Sequence, residues 1–566
     1  MRHRVAAILT IFAVGEVISV PSATFAASHH HKSAQKPSSA KIIPGLGFVQ
    51  HPVSTKIPQA QKFFDQGLAF TYGFDHESAQ KCFEQAAKLD PKLAMAWWGV
   101  ALALGPNINI PIDPEREKAA YQAIQRALAL QENASHPEQG YINALAFRYS
   151  NDPKADLHQL DVAYREAMAK LVRSYPDDLD AATLYAECMM NLHPWRLWFH
   201  DGRPNEGTEE IVAVLESVLK RNPNHLGANH YYIHAVEGSS RPERALPSAI
   251  RLETLAPAAG HLTHMPSHIH ARVGDYAAAV RSNERAIIAD GKFFVTAGKG
   301  LVAVMYHAHN EHFLAYAACM ADDFKKAKKA ADVVAAIAEP HIGEMPEMEG
   351  FLSNFICARM YVLVAFEGWD DILKLPPPKV AYPIQVAAWH FGRTLAFAAK
   401  SNATAAEQEQ AKWQQLTATI KPDEMINETN NIGSVLKIQS NWMSAAIARS
   451  RHSDKETIDA LTAAISAEDV LDYNEPPGFF PPMRPVLGRS LMAMKRYPEA
   501  EKIFRAALEK SPRLPSALAG LRDSLRAQNR TYEAEQIEQQ MPTVGLTRGG
   551  VTSDSADRRN PGRFAE

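Results

Sequence analysis

Two pairs of histidines repeat in this sequence at an interval of 34 residues. The pairs are His230 with His264 and His234 with His268. That interval is the length of one helix-turn-helix unit in a common class of helical repeat. Because a solenoid stacks equivalent positions side by side, we expect the four imidazole rings to be neighbours. The 88 residues from His225 to His312 hold 10 of the 23 histidines in the chain, and a repeat scaffold alone does not require such a cluster.

The residue types around these pairs indicate a transition-metal site. His230, His234 and Glu237 stand at i, i+4 and i+7, so one helix face would present two imidazoles and a carboxylate. Two HxxH spacings add ligands from neighbouring helices. The candidate metal ligands are His230, His234, Glu237, His261, His264, His268, His309 and His312. Neutral imidazole suits Zn, Cu, Fe or Ni, so the pattern predicts one of these metals as the cofactor.

A hydrolytic role is one form of this hypothesis. A metal-activated water would then be the nucleophile, with Glu187 or Glu237 as the candidate general base. The HExxH motif is missing, because Tyr231 follows His230 where that motif has its glutamate. Asn283 stands at a repeat position that is normally apolar, so its amide is a candidate either to orient one of the histidines or to bond a backbone carbonyl.

Two other interpretations of the histidines stay open. They could form the polar wall of a binding groove, or their protonation could change the affinity of that groove between about pH 5 and 7. Arg393 and Arg489 fall at comparable positions of later units. They are candidates to bind a carboxylate or phosphate of a ligand.

Helical repeats are predicted to position these side chains. Small and large apolar residues recur at fixed offsets, with a proline closing the unit. The first clear unit contains Phe63, Gly67, Phe70, Ala79, Phe83, Ala86 and Pro91, and the last contains Leu487, Gly488, Leu491, Ala500, Phe504, Ala507 and Pro512. This pattern resembles the tetratricopeptide repeat (TPR). It predicts an all-α fold, a TPR-type right-handed superhelix of helix-turn-helix repeats that is irregular in the middle. The histidine pairs would face its concave groove.

Three loops and one proline depart from the repeat. The loops span residues 105–114, 193–207 and 473–477, and long loops of this kind often fold over the groove of a solenoid. Pro266 falls inside a predicted helix, where it would break or kink the helix. If the helix begins only near Met265, His261 and His264 lie on the incoming loop.

Composition and termini predict an exported protein. Arg2 and Arg4 precede a short apolar run and then small residues, as in a secretory signal. We therefore expect a signal peptide at 1–27, a flexible linker at 28–56, a TPR solenoid at 57–541 and a disordered tail at 542–566. The expected location is periplasmic or secreted. A net charge of −3 does not favour nucleic acid, and no stretch is predicted to span a membrane.

Four runs of sequence strengthen the TPR interpretation. They are HYYIHAVE, HLTHMPSHIHARVGDY, HNEHF and YNEPP, which begin at positions 230, 261, 309 and 473. Together they resemble a family of exported bacterial TPR proteins that carry an HxxHMPSHI run. The resemblance implies the fold and the export. The predicted function is binding of a protein, peptide or small-molecule ligand in the concave groove, with a histidine-rich groove site; the alternative is a metalloprotein or metal-dependent hydrolase that uses those histidines.

Overall fold

The fold is a solenoid of paired α-helices. A computed structural model describes residues 40–298, 300–378 and 382–541. Within these ranges the chain forms α-helices, short 3-10 helices and isolated β-bridges, and no β-strand. The helices are α1 Pro58–Tyr72, α2 His76–Leu89, α3 Ala94–Leu104, α4 Pro114–Ala129, α5 His136–Leu145, α6 Leu157–Ser174, α7 Leu179–Met190, α8 Thr208–Arg221, α9 Leu226–Glu237, α10 Leu246–Leu255, α11 Gly260–His264, α12 Pro266–Arg272, α13 Tyr276–Ala297, α14 Leu301–Met320, α15 Phe324–Ala338, α16 Glu349–Ala365, α17 Trp369–Lys374, α18 Pro383–Ala399, α19 Ala403–Thr417, α20 Ile432–Ser450, α21 Asp454–Asp469, α22 Met483–Ala493, α23 Tyr497–Lys510, α24 Pro515–Ala527 and α25 Thr531–Gln540.

Consecutive helices pack against one another along the described chain. In the first pair, Phe83 of α2 fills the space above Gly67 of α1, where an added Cβ would lie 2.7 Å from the phenylalanine ring. A small residue opposite a large one lets the two helices approach closely, as the repeat pattern predicts. The all-α TPR-type superhelix expected from the sequence is confirmed.

The apolar core is divided into two large clusters. The first is built from residues between Leu46 and Ile269, and the second from residues between Ala271 and Ala534. The seam between them falls at α12, inside the histidine-rich segment. The two halves of the solenoid therefore meet where the sequence concentrates its imidazoles.

The segment 40–56 packs on the solenoid and does not behave as the flexible linker that we expected. Ile43 donates its backbone N–H to Gln66 of α1 (2.7 Å), and the Gly45 carbonyl accepts from Ala258 (2.9 Å). Leu46 is buried in the first core. His51 lies 2.8 Å from a carboxylate oxygen of Asp180 on α7. We call residues 40–56 the strap. The predicted signal peptide, residues 28–39 and the predicted tail lie outside the described residues.

One apolar segment of the described chain is long enough to cross a membrane. It spans Pro346–Ala365, and 72 % of its most apolar stretch of 18 residues is buried inside the protein. Burial of this kind is expected for a helix in the interior of a solenoid.

Candidate metal centre

Six histidines gather into two adjacent sets of three. We call His230, His234 and His261 triad A, and His264, His268 and His309 triad B. Within each triad, one ring nitrogen from every histidine lies within 4.8 Å of the others. The 34-residue repeat therefore brings its histidines together as predicted, with His230 and His234 in one triad and their equivalents in the other.

Four helices supply these rings. Triad A takes two histidines from α9 and one from α11, while triad B takes one each from α11, α12 and α14. Met265 keeps helical dihedral angles (φ −50°, ψ −35°), so Pro266 begins α12 directly after α11. The proline thus marks a break between two short helices, and His261 and His264 lie on a helix and not on a loop. Gly260 begins α11 and lets it pack closely on α13, because a Cβ at this position would lie 1.7 Å from the Asp290 carboxylate.

Acceptors hold the Nδ1 atoms of four of the six rings. The Tyr72 carbonyl lies 2.6 Å from Nδ1 of His230. The two oxygens of Glu237 lie 2.9 Å and 2.5 Å from Nδ1 of His234 and His268.

The fourth acceptor is Asn283, whose Oδ1 lies 2.7 Å from Nδ1 of His264. Asn283 donates its own amide to the Ala279 carbonyl (2.9 Å), which fixes Oδ1 toward the histidine. In each neutral ring the proton therefore sits on Nδ1 and Nε2 carries the lone pair. The structure confirms the orienting contact that we expected from Asn283.

The Nε2 atoms point at one another. His264 Nε2 lies 2.8 Å from His268 Nε2 and 3.1 Å from His309 Nε2. In triad A, His230 Nε2 lies 3.1 Å from His261 Nε2. Nε2 of His234 is buried without a hydrogen-bond partner. Between His264 and His268 both acceptor-bound Nδ1 atoms carry protons, so two lone pairs face each other across 2.8 Å. Such a contact is repulsive unless a cation lies between the nitrogens.

Burial keeps these rings neutral. His230, His264 and His268 are at most 1 % exposed. Desolvation, followed by the neighbouring histidines, lowers the pKa of His230, His261 and His264 well below its usual value. Burial lowers the pKa of His309 to about 3. Neutral imidazole is the form that binds a metal.

Glu237 is the buried negative charge of the site. Burial alone would raise its pKa, but the neighbouring His268 and His234 outweigh that effect and lower the pKa to about 2. Both carboxylate oxygens accept from Nδ1 atoms, one in each triad. Glu237 is therefore a positioning residue that links the triads. Together with His234 and His268 it also forms a third group whose ligand atoms lie within 4.8 Å of one another. Its roles as a metal ligand or general base stay predictions.

Aromatic side chains enclose the histidines. The Phe74 ring centroid lies 4.6 Å from that of His230, and Phe313 lies 5.1 Å from both His264 and His268. Tyr306 packs on His261 at 4.7 Å. These rings exclude water from the sides of the centre, so the histidines do not form the open groove wall that the sequence suggested.

Two recesses reach triad A. One ends at His234 and Glu237, and the other ends at His261. The second is lined mainly by apolar groups of α1, α13 and α14, among them Phe70, Phe293 and Tyr306.

Four further predicted site residues are not members of either triad. His312 packs on Phe355 (5.1 Å) and is not in either triad. Glu187 accepts a hydrogen bond from Asn191 (2.5 Å), and burial raises its pKa to about 7 against the opposing charge of Arg148. Arg393 pairs with Glu409 and lies over the Trp389 ring.

Arg489 also has a carboxylate close by, since its Nε lies 3.7 Å from Glu367. Because acidic side chains already accompany both arginines, the predicted binding of a ligand carboxylate or phosphate gains no support from their surroundings.

Sequence reasoning missed a further group of possible ligands. His51 of the strap meets Asp178 and Asp180 of α7, and His225 Nε2 lies 3.2 Å from Asp180. Tyr72, whose carbonyl orients His230, donates its hydroxyl to Asp180. No spacing in the sequence connects His51 with residues more than 120 positions away.

One repeat unit of the chain matches a known family. Residues 63–93 match the tetratricopeptide repeat family. Curated proteins gave no match. Among solved structures, the chain is similar to Ypp1 (11 % identity, 86 % of this chain and 88 % of that chain, TM-score 0.40). It is also similar to the Cut9–Hcn1 hetero-tetramer of the APC/C (12 %, 82 % and 76 %, TM-score 0.31) and to yeast Tom70 (9 %, 86 % and 90 %, TM-score 0.28).

Proposed function

We propose that this protein is an exported metalloprotein that binds two transition-metal ions, one in each histidine triad. The observation that carries the proposal is the contact between Nε2 of His264 and Nε2 of His268, 2.8 Å apart with both Nδ1 atoms engaged by acceptors. A cation between those lone pairs would turn a repulsive contact into a bonding one. It would also balance the buried charge of Glu237.

The donor set favours a transition metal. Each triad offers three neutral imidazoles and no thiolate, a set that suits Zn, Cu, Fe or Ni and not the oxygen-seeking Ca²⁺ or Mg²⁺. Two nitrogens bound to one tetrahedral ion at about 2.1 Å lie about 3.4 Å apart. The Nε2 contacts of 2.8–3.1 Å within the triads need only small movements to reach that spacing.

The hydrogen-bond acceptors at the Nδ1 atoms of the histidines fit the same proposal. Histidines that ligate a metal usually donate their other N–H to a carboxylate or carbonyl, which fixes the tautomer and strengthens the ligand. Four of the six rings have such a partner, and one carboxylate serves a ring in each triad. A hydrolytic role loses support, since Glu237 has no free oxygen to act as base and Glu187 lies outside the triads.

The test is the metal content of the full chain with His29, His30 and His31 replaced by serine, so that this histidine tract cannot scavenge metal. We expect about two ions per chain. His234→Ala and His309→Ala should each retain about one, because each removes a ligand from a single triad. His270→Ala is the matched control for His234→Ala, since His270 is about as buried as His234 but bonds Glu253 outside the triads. No bound metal after reconstitution with Zn, Cu, Ni and Fe would refute the proposal.

A second role is binding of a partner on the solenoid surface. The TPR unit at residues 63–93 supports it, because repeats of this kind build extended concave surfaces for protein or peptide partners. A small-molecule ligand in the groove is the alternative. Since the histidines are buried, such a partner would use other residues. Chemical crosslinking of the exported protein, compared with the His234→Ala/His309→Ala double variant, would show whether partner capture is independent of the metal centre.

A further inference from the structure

Three loops that are distant in sequence meet above His234. Ile108 comes from the first loop, Trp195, Leu197 and Trp198 from the second, and Tyr473 from the third. They close the recess whose floor is formed by His234, Glu237 and Gly238. We call this space the three-loop recess. These are the loops that depart from the repeat pattern, so the chain interrupts its repeat three times to build one enclosure over the metal centre.

Two buried polar atoms of this recess have no hydrogen-bond partner. They are Nε2 of His234, which is an acceptor, and Nε1 of Trp195, which is a donor. The ring centroids are 6.0 Å apart and the rings meet nearly edge-on, at 76°. The indole N–H does not reach the imidazole directly. A buried donor without a partner is costly, and a ligand between the two rings would satisfy it.

The loop that carries Trp195 is held in place by its own contacts. Trp195 has a left-handed backbone conformation (φ 60°), which a bulky residue adopts only when its surroundings impose it. Trp198 donates its indole N–H to the Ala235 carbonyl of α9 (2.8 Å), and Thr208 donates to the Leu197 carbonyl (2.7 Å). The recess is thus formed before any ligand enters, which lowers the entropic cost of binding.

We propose that the three-loop recess is the ligand subsite of the metal centre and takes a molecule of two or three non-hydrogen atoms that carries a hydrogen-bond acceptor. The space holds about two water-sized atoms, which suits dioxygen or peroxide. The ligand accepts the Trp195 N–H at one end and lies against triad A at the other. This inference rests on the proposed function, because triad A must hold its ion.

Azide is the probe, added to the full chain loaded with Cu(II) or Co(II), both of which report a new ligand by visible absorption. We expect saturable binding in the parent protein. Trp195→Phe should weaken azide affinity about tenfold, the loss expected when one hydrogen bond to a charged ligand is removed. Trp198→Phe is the matched control on the same loop, because its N–H is already bonded to Ala235; we expect a change of less than about threefold.

Two further measurements keep the test decisive if a loop variant folds poorly. In the unaltered protein, azide should shift the indole N–H resonance of Trp195 and leave that of Trp198 in place. Gly238→Ala should slow azide binding without removing a ligand, because its methyl group would lie 3.3 Å from Tyr473 and 3.6 Å from Trp198.

Metal content measured on every sample separates the two proposals. A parent protein without metal refutes the proposed function and this inference with it. Two bound ions with equal azide affinity in Trp195→Phe and Trp198→Phe, or with no azide binding, refute the inference and leave the proposed function standing.

Discussion

At the scale of single residues, the centre depends on which ring nitrogen carries each proton. The Nε2 lone pairs converge only because acceptors hold the opposite Nδ1–H groups, and Glu237 supplies two of those acceptors. A charged carboxylate suits this task, since it accepts at both oxygens and donates at neither. The chemistry of the site is therefore set as much by this residue as by the histidines.

Glu237→Gln should weaken metal binding by about 10- to 100-fold. The glutamine amide presents an N–H₂ to one Nδ1–H group, so one of the two histidines must change its tautomer and turn its lone pair away. Competition with a chromophoric chelator measures the affinity. Glu253→Gln is the control, because Glu253 also bonds a histidine, His270, but outside the triads. Unchanged affinity in Glu237→Gln would mean that the carboxylate does not hold the ligands.

At the scale of helices, the sequence predicted which histidines would be neighbours better than it predicted which would be left out. The 34-residue interval correctly predicted that four histidines would be neighbours. It did so because α9 and the α11–α12 pair are the first helices of two consecutive repeat units. It could not separate His309 from His312, because residues three apart on a helix differ by about 60° around its axis. One of them faces triad B and the other faces Phe355. The Tyr72 carbonyl and the strap were unpredictable, since both contacts join residues far apart in the chain.

The strap should loosen as pH rises. Burial alone would lower the pKa of His51, but Asp180, then Asp178 and Asp65, outweigh it and raise the pKa above its usual 6.5. A raised pKa means that the ion pair contributes its full stability below about pH 6.5 and loses it as pH rises through the higher value. Hydrogen bonds from His225 and then His51 lower the pKa of Asp180 despite its burial, so the stability that this carboxylate contributes fades only in strong acid.

Hydrogen exchange of residues 40–56, corrected for intrinsic rates, measures this effect. We expect less protection at pH 9 than at pH 6. His51→Gln should abolish the difference between the two pH values, while the exposed His136→Gln should preserve it. Equal protection at both pH values in the parent protein would show that the pair does not hold the strap.

At the scale of the whole molecule, the histidine triads lie on the seam between the two apolar cores. Triad A belongs entirely to the first half of the chain, whereas triad B joins α11 and α12 to His309 of the second half. Where a continuous solenoid would place apolar side chains, this protein places imidazoles. The cohesion of the two halves is therefore expected to depend on metal.

Removing metal should separate the unfolding of the two halves. At free metal a thousandfold above Kd, one ion stabilises the folded state by about 4 kcal/mol, which corresponds to a Tm increase of roughly 10 °C for a unit of this size. Calorimetry should show one transition with metal and two with chelator. Variants of the two triads should then behave differently. His309→Ala breaks the link across the seam and should show two transitions even with metal. His234→Ala leaves triad B intact and should lower the Tm while keeping one transition. If both variants behave alike, metal stabilises the chain without joining its halves.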